Sequence, residues 1–247
     1  NYLNSKYTPD NTLVTVTGNI PHDEILEVVD RWMGDWSNPG QPPQYLSFQE
    51  QTGPRLKIEK RDTEQAHLNL AIPGISLSDP RRFQLDLLNV ILGEGMSSRL
   101  FSEIRDKMGL AYSISSYVEH FLDSGAFTIS ASVDPDNLHR AVTAILGQLN
   151  KLKDDIPEAE VEKAREISKG RLILRMEDSR NVAGWLGGQE ILLKHILRVD
   201  EVLKIIDSIT AEELQQAARE LIDDSKARLA VVGPISDPTP LQKLLKI

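Results

Sequence analysis

Alternating apolar patterns crowd the chain before residue 134 and helical ones fill the stretch after it, an order that restricts the fold more than any other feature. "RLKIEK" (55–60) and "AHLNLAI" (66–72) alternate, the second placing Ala66, Leu68, Leu70 and Ile72 on one face. Two more strands are predicted at Ala111–Val118 and Gly125–Val133, joined by a hairpin turn around "LDSG". Between these pairs, Arg81–Leu92 has a helical stripe of Phe83, Leu87, Val90 and Ile91. "GEGMSS" then breaks that helix, and a serine is expected to cap the next one, which leads to Arg105. Helices are predicted over Asp134–Leu152, from Pro157, and from near Asp178. "TAEE" (210–213) is a capping-box pattern heading a helix with Leu214, Ala217, Ala218, Leu221 and Ile222 in register. A regular strand–helix alternation would dictate a doubly wound parallel sheet. Strands early and helices late dictate an α+β fold, a β-sheet with helices packed on one face.

An internal echo organises the ends. "TLVTVTG" (12–18) reads as a strand, followed at Pro21 by a helix with Ile25, Val28, Val29, Trp32 and Met33 on one stripe, ending near Gly34. "KARLAVVGPISDPTPLQKLLK" repeats that plan near the C-terminus: apolar strand, glycine, polar loop, amphipathic helix. The echo suggests the closing unit of a domain that occurs twice. Residues 1–36 are then expected to be the tail of a preceding homologous domain, 37–54 a linker, containing the Pro- and Gly-rich "SNPGQPPQ", and 55–247 the second domain. A first residue of Asn rather than Met fits a chain that has more upstream.

Composition narrows the function. With 28 Lys and Arg against 37 Asp and Glu, the net charge of −9 excludes an electrostatic nucleic-acid surface and leaves room for a positively charged substrate. No run approaches the roughly 20 apolar residues of a membrane span, the start is polar rather than signal-like, and cysteine is absent. No membrane partner is expected, and the compartment expected is a reducing one, cytoplasmic or an organelle matrix. The five histidines, His22, His67, His120, His139 and His195, lie too far apart for HExxH or its inverse HxxEH. His67 falls on the face of its strand opposite the apolar row and reads as a satisfied or solvent-facing histidine. No P-loop, dinucleotide loop or GxSxG elbow is present, and "GEGMSS" lacks the Lys–Ser/Thr that would complete a phosphate cradle.

What remains is the joint "IRDKMGLAYSIS", where a charged helix ends, Gly109 turns the chain and a strand begins. Arg105 and Tyr112 stand on either side of it. Read alone, the pair has two explanations. Arg105 can pair with Glu103 or Asp106 or sit on the helix C-terminus, with Tyr112 an ordinary strand aromatic; or both can face a common target.

The wider sequence resembles a known family. "LNVILGEGMSSRLFSEIRDKMGLAYSISSYVEHFLDSGAFTISASVDPDN" resembles the second domain of the pitrilysin, insulin-degrading enzyme and mitochondrial processing peptidase superfamily of inverted-motif zinc peptidases, nearest its small bacterial members and the processing peptidases. "YTPDNTLVTVTGNIPHDEILEVVDRWMGDW" resembles the end of the first domain, and "EQAHLNLAIPG" and "LGGQEILLKHILRVDEVLKIIDSITAEELQQAARELI" the opening strand and late helices of the second. The resemblance implies two similar domains closing around an extended peptide, the first holding zinc through HxxEH and a distant Glu, the second supplying an Arg and a Tyr. Their matching positions are Arg105 and Tyr112. The resemblance gives Tyr112 a donor role toward the scissile carbonyl oxygen and Arg105 a grip on a neighbouring peptide carbonyl. It also matches Gly93, Glu94, Gly95, Met96 and Ser97 to a glycine-rich substrate-handling loop, here short. By this resemblance the chain is the substrate-clamping C-terminal portion of a zinc-dependent metalloendopeptidase, inactive by itself and holding no cofactor, with zinc in the domain upstream of residue 1. Its implied partners are the peptide, the zinc domain of the same protein or a partner subunit, and a possible second copy. The rival readings are a non-catalytic subunit that gathers peptides or scaffolds a complex, and a free-standing α+β interaction domain.

Overall fold

A computed structural model of the chain describes residues 6–37, 45–50 and 53–245. The linker expected at "SNPGQPPQ" lies, apart from Ser37, outside these residues. The chain divides into two compact units, one of Asn1–Phe48 with Gly170–Val202 and the other of Gln49–Lys169 with Leu203–Ile247.

The larger unit is built on the strands predicted from alternation: β1 (Leu56–Lys60), β2 (Ala66–Pro73), β3 (Ala111–His120), β4 (Gly125–Val133) and β5 (Arg228–Gly233). They form one sheet in the order β1-β5-β2-β4-β3, parallel only between β1 and β5. Leu68 pairs with Ala131 and Val231, and Leu70 with Ile129 and Leu229, so the apolar row of β2 continues across three strands. All these side chains are buried. Burial of each large one contributes about 1.5–3 kcal/mol, which pins the register, because a one-residue slip would turn the whole row to solvent. The opposite face is polar: His67 and Asn69 of β2 and Ser113, Ser115, Tyr117 and Glu119 of β3 are exposed there.

The remaining regular elements are helical, and those packed within the larger unit cover the apolar face of its sheet. Numbered along the chain, they are α1 (His22–Met33, in the smaller unit), α2 (Arg82–Gly93), α3 (Leu138–Asp154), α4 (Glu158–Arg175), α5 (Ser179–Leu193), α6 (Val199–Ser208), α7 (Ala211–Leu221) and α8 (Thr239–Leu245), with a π-helix at Leu100–Lys107 between α2 and β3. Helices α2, α3 and α7 pack on one another. The predicted capping box heads α7: Thr210 Oγ1 accepts from the Glu213 amide at 3.2 Å, and Glu213 Oε2 from the Thr210 amide at 2.8 Å. The stripe expected for α2 is too narrow: every residue from Leu87 to Gly93 is buried, because the helix is enclosed between sheet, π-helix, α3 and α7.

Two sequence expectations fail. Residues 12–17 form no strand: they have no hydrogen-bonded partner strand among the described residues, and without a ladder an alternating pattern cannot become sheet. Within the same unit Thr17 Oγ1 donates to the Ser179 carbonyl at the head of α5, and α1 follows over the helix predicted from Pro21, its N-cap. Nor does a serine cap the helix leading to Arg105. Ser98 Oγ instead donates at 2.7 Å to the Gly95 carbonyl, closing the preceding loop, and the N-cap, Arg99, makes no side-chain capping bond.

Candidate functional site

The joint between the π-helix and β3 is irregular on both sides. In "LFSEIRDK" the turns are wide: the Met108 amide donates to the Glu103 carbonyl, five residues back, at 3.0 Å. Gly109 then takes φ 60°, the left-handed position where a side chain is strained, and the Leu110 amide reaches back to the Ile104 carbonyl at 2.9 Å. This is a glycine C-cap closure, one residue longer than the usual one because the turn it ends is π. Ile104 and Leu110, both buried, anchor it. On the strand side Ala111 pairs with Val133 and Ser113 with Ser132, leaving Tyr112 as the extra residue of a β-bulge. Bulges bend a strand and re-aim a side chain, and Tyr112 is 75% exposed.

Of the contacts that the first explanation names, the ion pair of Arg105 with Glu103 or Asp106 does not form. Glu103 is taken by Lys107 at 2.6 Å, which holds the Glu103 carboxyl below its ordinary range. Arg105 makes no ion pair among the described residues; its guanidinium lies over the Phe101 ring, 4.5 Å from the centroid. That stacking braces the side chain while its donors stay available, since the ring face occupies none of them. Tyr112 has no hydrogen-bonding partner among the described residues and borders a cleft of about 420 Å³ lined by Glu64, Gln65, Gly109, Leu110, Ala111 and Asp134. The guanidinium and the phenol thus stand on the two arms of one hydrogen-bonded turn, and no bond joins them.

The third predicted element, Gly93–Ser97, directly precedes the π-helix. Gly93 is buried against β3: a Cβ there would stand 2.4 Å from Ser116 Oγ and 2.6 Å from the Ser116 amide, so no side chain fits. Gly95 takes φ 96°, again a glycine conformation, and Met96 beside it is 78% exposed. Lys163 of α4 donates to the Ser97 carbonyl at 2.8 Å. Reading the sequence missed the polar groups behind this loop, Asn89 and Ser116, and those beside Tyr112, Glu64, Gln65 and Asp134. Asn89 alone left a signal, as the one polar residue inside the apolar run "LLNVIL".

Zinc does not fit this set of residues. The sequence contains no HxxEH, and among the described residues no three His, Asp or Glu side chains gather as metal ligands. Nor is any described helix long and apolar enough to cross a membrane.

Residues 1–168 match the family model described as the peptidase M16 inactive domain. The chain is 34% identical over 246 residues to an uncharacterized zinc protease of Mycobacterium leprae and 33% identical over 234 residues to one of Bacillus subtilis. These alignments cover 98% and 94% of this chain but 55% and 56% of the relatives, so the chain spans about half their length. A protease from Helicobacter pylori shares the fold with a TM-score of 0.84 at 24% identity, over 94% of this chain and 57% of that one. A peptidase M16 inactive domain from Pseudomonas fluorescens does so with 0.76 at 20%, over 87% and 52%.

Proposed function

The chain belongs to the M16 peptidase family, and from that premise we propose that it is the substrate-clamping half of a zinc-dependent endopeptidase acting on extended peptides. The observation that carries this reading is the joint itself. A π-turn and a β-bulge present, on either side of one turn, a guanidinium with no ion pair and a phenol with no hydrogen bond among the described residues.

Each group has work it can do on a peptide. The Tyr112 hydroxyl donates to the scissile carbonyl oxygen as negative charge develops there. The bulge matters for this, because stabilisation by a preorganised donor needs no reorganisation during the reaction. Arg105 offers a planar fork of donors, so it grips a peptide carbonyl near the cleaved bond. The loop Gly93–Ser97, exposed at Gly95, Met96 and Ser97, presents backbone and Met96 to the same peptide. The metal-dependent step belongs to a zinc-binding half that carries HxxEH, in the same protein or in a partner subunit.

The test is Tyr112→Phe in the full-length protein, with a quenched-fluorescence peptide as substrate. Loss of a donor used only in the transition state lowers kcat by about 10²-fold and leaves KM near the wild-type value. Unchanged kcat would remove the oxyanion role and return Tyr112 to the status of a surface aromatic. A full-length wild type that binds peptides but never cleaves them would favour the second reading, a subunit that gathers peptides or scaffolds a complex.

A further inference from the structure

The loop Gly93–Ser97 owes its place to a short polar chain inside the domain. Asn89 lies in α2 with 7% of its surface exposed, between the buried Leu88 and Val90. Ser116 of β3, 4% exposed, donates through Oγ to Asn89 Oδ1 at 2.6 Å. Asn89 Nδ2 donates in turn to Glu94 Oε2 at 3.1 Å. Chemistry fixes this direction. With the amide turned over, its oxygen would face the Glu94 carboxylate, acceptor against acceptor. The three residues come from a strand, a helix and the loop, and meet where Gly93 lets the loop approach Ser116 most closely.

A leucine at position 89 would continue the run "LLNVIL" and bury more apolar surface. A carboxamide there serves both a hydroxyl, which also reaches the Asn89 backbone carbonyl at 3.4 Å, and a carboxylate. We propose that Asn89 is a positioning residue whose side chain latches the loop Gly93–Ser97 to strand β3, setting the loop for peptide binding. The inference rests on the reading that this loop handles substrate. The latch holds the loop at its Glu94 end, and the Lys163 ammonium holds it at Ser97. Between the two lie only Gly95, in its glycine-specific conformation, and the exposed Met96. Because Ser116 lies four positions beyond Tyr112 on the same strand, one network sets both the loop and the strand that carries the phenol.

Asn89→Asp tests the latch in the full-length protein. At about pH 7.5 the variant lacks the N–H donor and sets a second carboxylate against Glu94. The expected result is a KM for the fluorogenic peptide raised by about tenfold, with kcat within about twofold of wild type. A carboxylate pair at this distance shares a proton as pH falls, and the shared O–H replaces the lost donor. Measured against wild type at the same pH, the KM defect then shrinks at about pH 5.5. Asn89→Leu keeps the packing but offers nothing to protonate, so its defect persists at both values. A wild-type KM for Asn89→Asp at pH 7.5, or the same pH response in both variants, overturns the proposal. If the wild type cleaves no peptide, the proposed function fails instead, and amide hydrogen exchange over residues 94–97 decides the latch alone. Exchange faster than wild type at pH 7.5 and restored at 5.5 in Asn89→Asp upholds it; unchanged exchange overturns it.

Discussion

Two stretches of this chain are written to one plan and meet different fates. Residues 228–245 place the strand β5 between β1 and β2, turn at a glycine, and dock α8 with Leu241 and Leu245 buried. Residues 12–33 carry the same order of apolar stretch, glycine and amphipathic helix. Yet Val14 and Val16 stand 47% and 45% exposed, no partner strand pairs with them among the described residues, and Trp32 of α1 is 80% exposed. The alternation is as good in the first copy as in the second. What differs is the supply of neighbours: β5 has a ladder on both edges, and a strand's stability lies in those cross-strand pairs rather than in its own residues. The same composition is thus core in one place and surface in the other.

The comparison can be broken most forcefully in the strands. Val231→Asp places a carboxylate among buried apolar groups in β5, where Val231 is 1% exposed. It is expected to cost about 3–5 kcal/mol in urea unfolding, whereas Val16→Asp stays within about 0.5 kcal/mol. Equal losses would mean that residues 12–17 are as structurally committed as β5. The helices give the next largest contrast: Leu241→Ala in α8 costs about 2–4 kcal/mol by cavity formation, and Trp32→Ala in α1 under about 1 kcal/mol. Thermal melts of the two variants check it.

Capping gives a smaller contrast. α7 begins with a complete box, while the N-cap of α1, Pro21, makes no side-chain bond. Thr210→Ala should therefore lose about 1 kcal/mol, and Pro21→Ala next to nothing, by the same melts. The smallest effect is one of pH. His120, at the end of β3, meets the Ile75 carbonyl at 2.8 Å and Asp86 of α2 at 3.3 Å. Burial opposes its protonation, but the Asp86 carboxylate and the Ile75 carbonyl outweigh that and the nearby Arg82, and raise its pKa above 6.5. A raised pKa means stabilisation that is full below about 6.5 and lost as pH rises through the folded value. Unfolding followed from the sheet should weaken slightly across that window, and His120→Gln should abolish the step, while exchange in residues 22–33 stays level.

How much of this could be read from the sequence depended on how local the cause was. The alternation of β2 and the box at Thr210 and Glu213 are written within a few residues, and both are present as expected. The hairpin of β3 and β4 closes through the Phe121 amide on the Ser124 carbonyl at 2.9 Å, inside the turn marked by "LDSG". Where the cause is a distant partner, the sequence is silent. It could not tell that residues 12–17 lack a ladder among the described residues, that α2 is enclosed from Leu87 to Gly93, or that Ser98 closes a loop instead of capping a helix. For the candidate site, the positions of Arg105 and Tyr112 on either side of a turn were legible, and the family resemblance gave them a purpose. That Arg105 makes no ion pair and Tyr112 no hydrogen bond among the described residues was not legible, because for Arg105 it depends on Lys107 taking Glu103 and on Phe101 lying under the guanidinium. Asn89 was visible only as a polar interruption, since the groups that justify it lie 27 residues away in β3 and in the loop beyond the helix.

The joint also has an arithmetic of its own. The π-turn carries one residue more than an α-turn would, and the bulge at Tyr112 one more than its partner strand. A substitution changes a side chain and leaves that count intact. A deletion of one residue does not: in a helix it swings all that follows by about 100° about the axis, and in a strand it exchanges the two faces. Gly109 apart, length more than residue identity therefore sets the geometry across "IRDKMGLAYSIS", and single-residue deletions on either side of Gly109 are the changes this corner can least absorb.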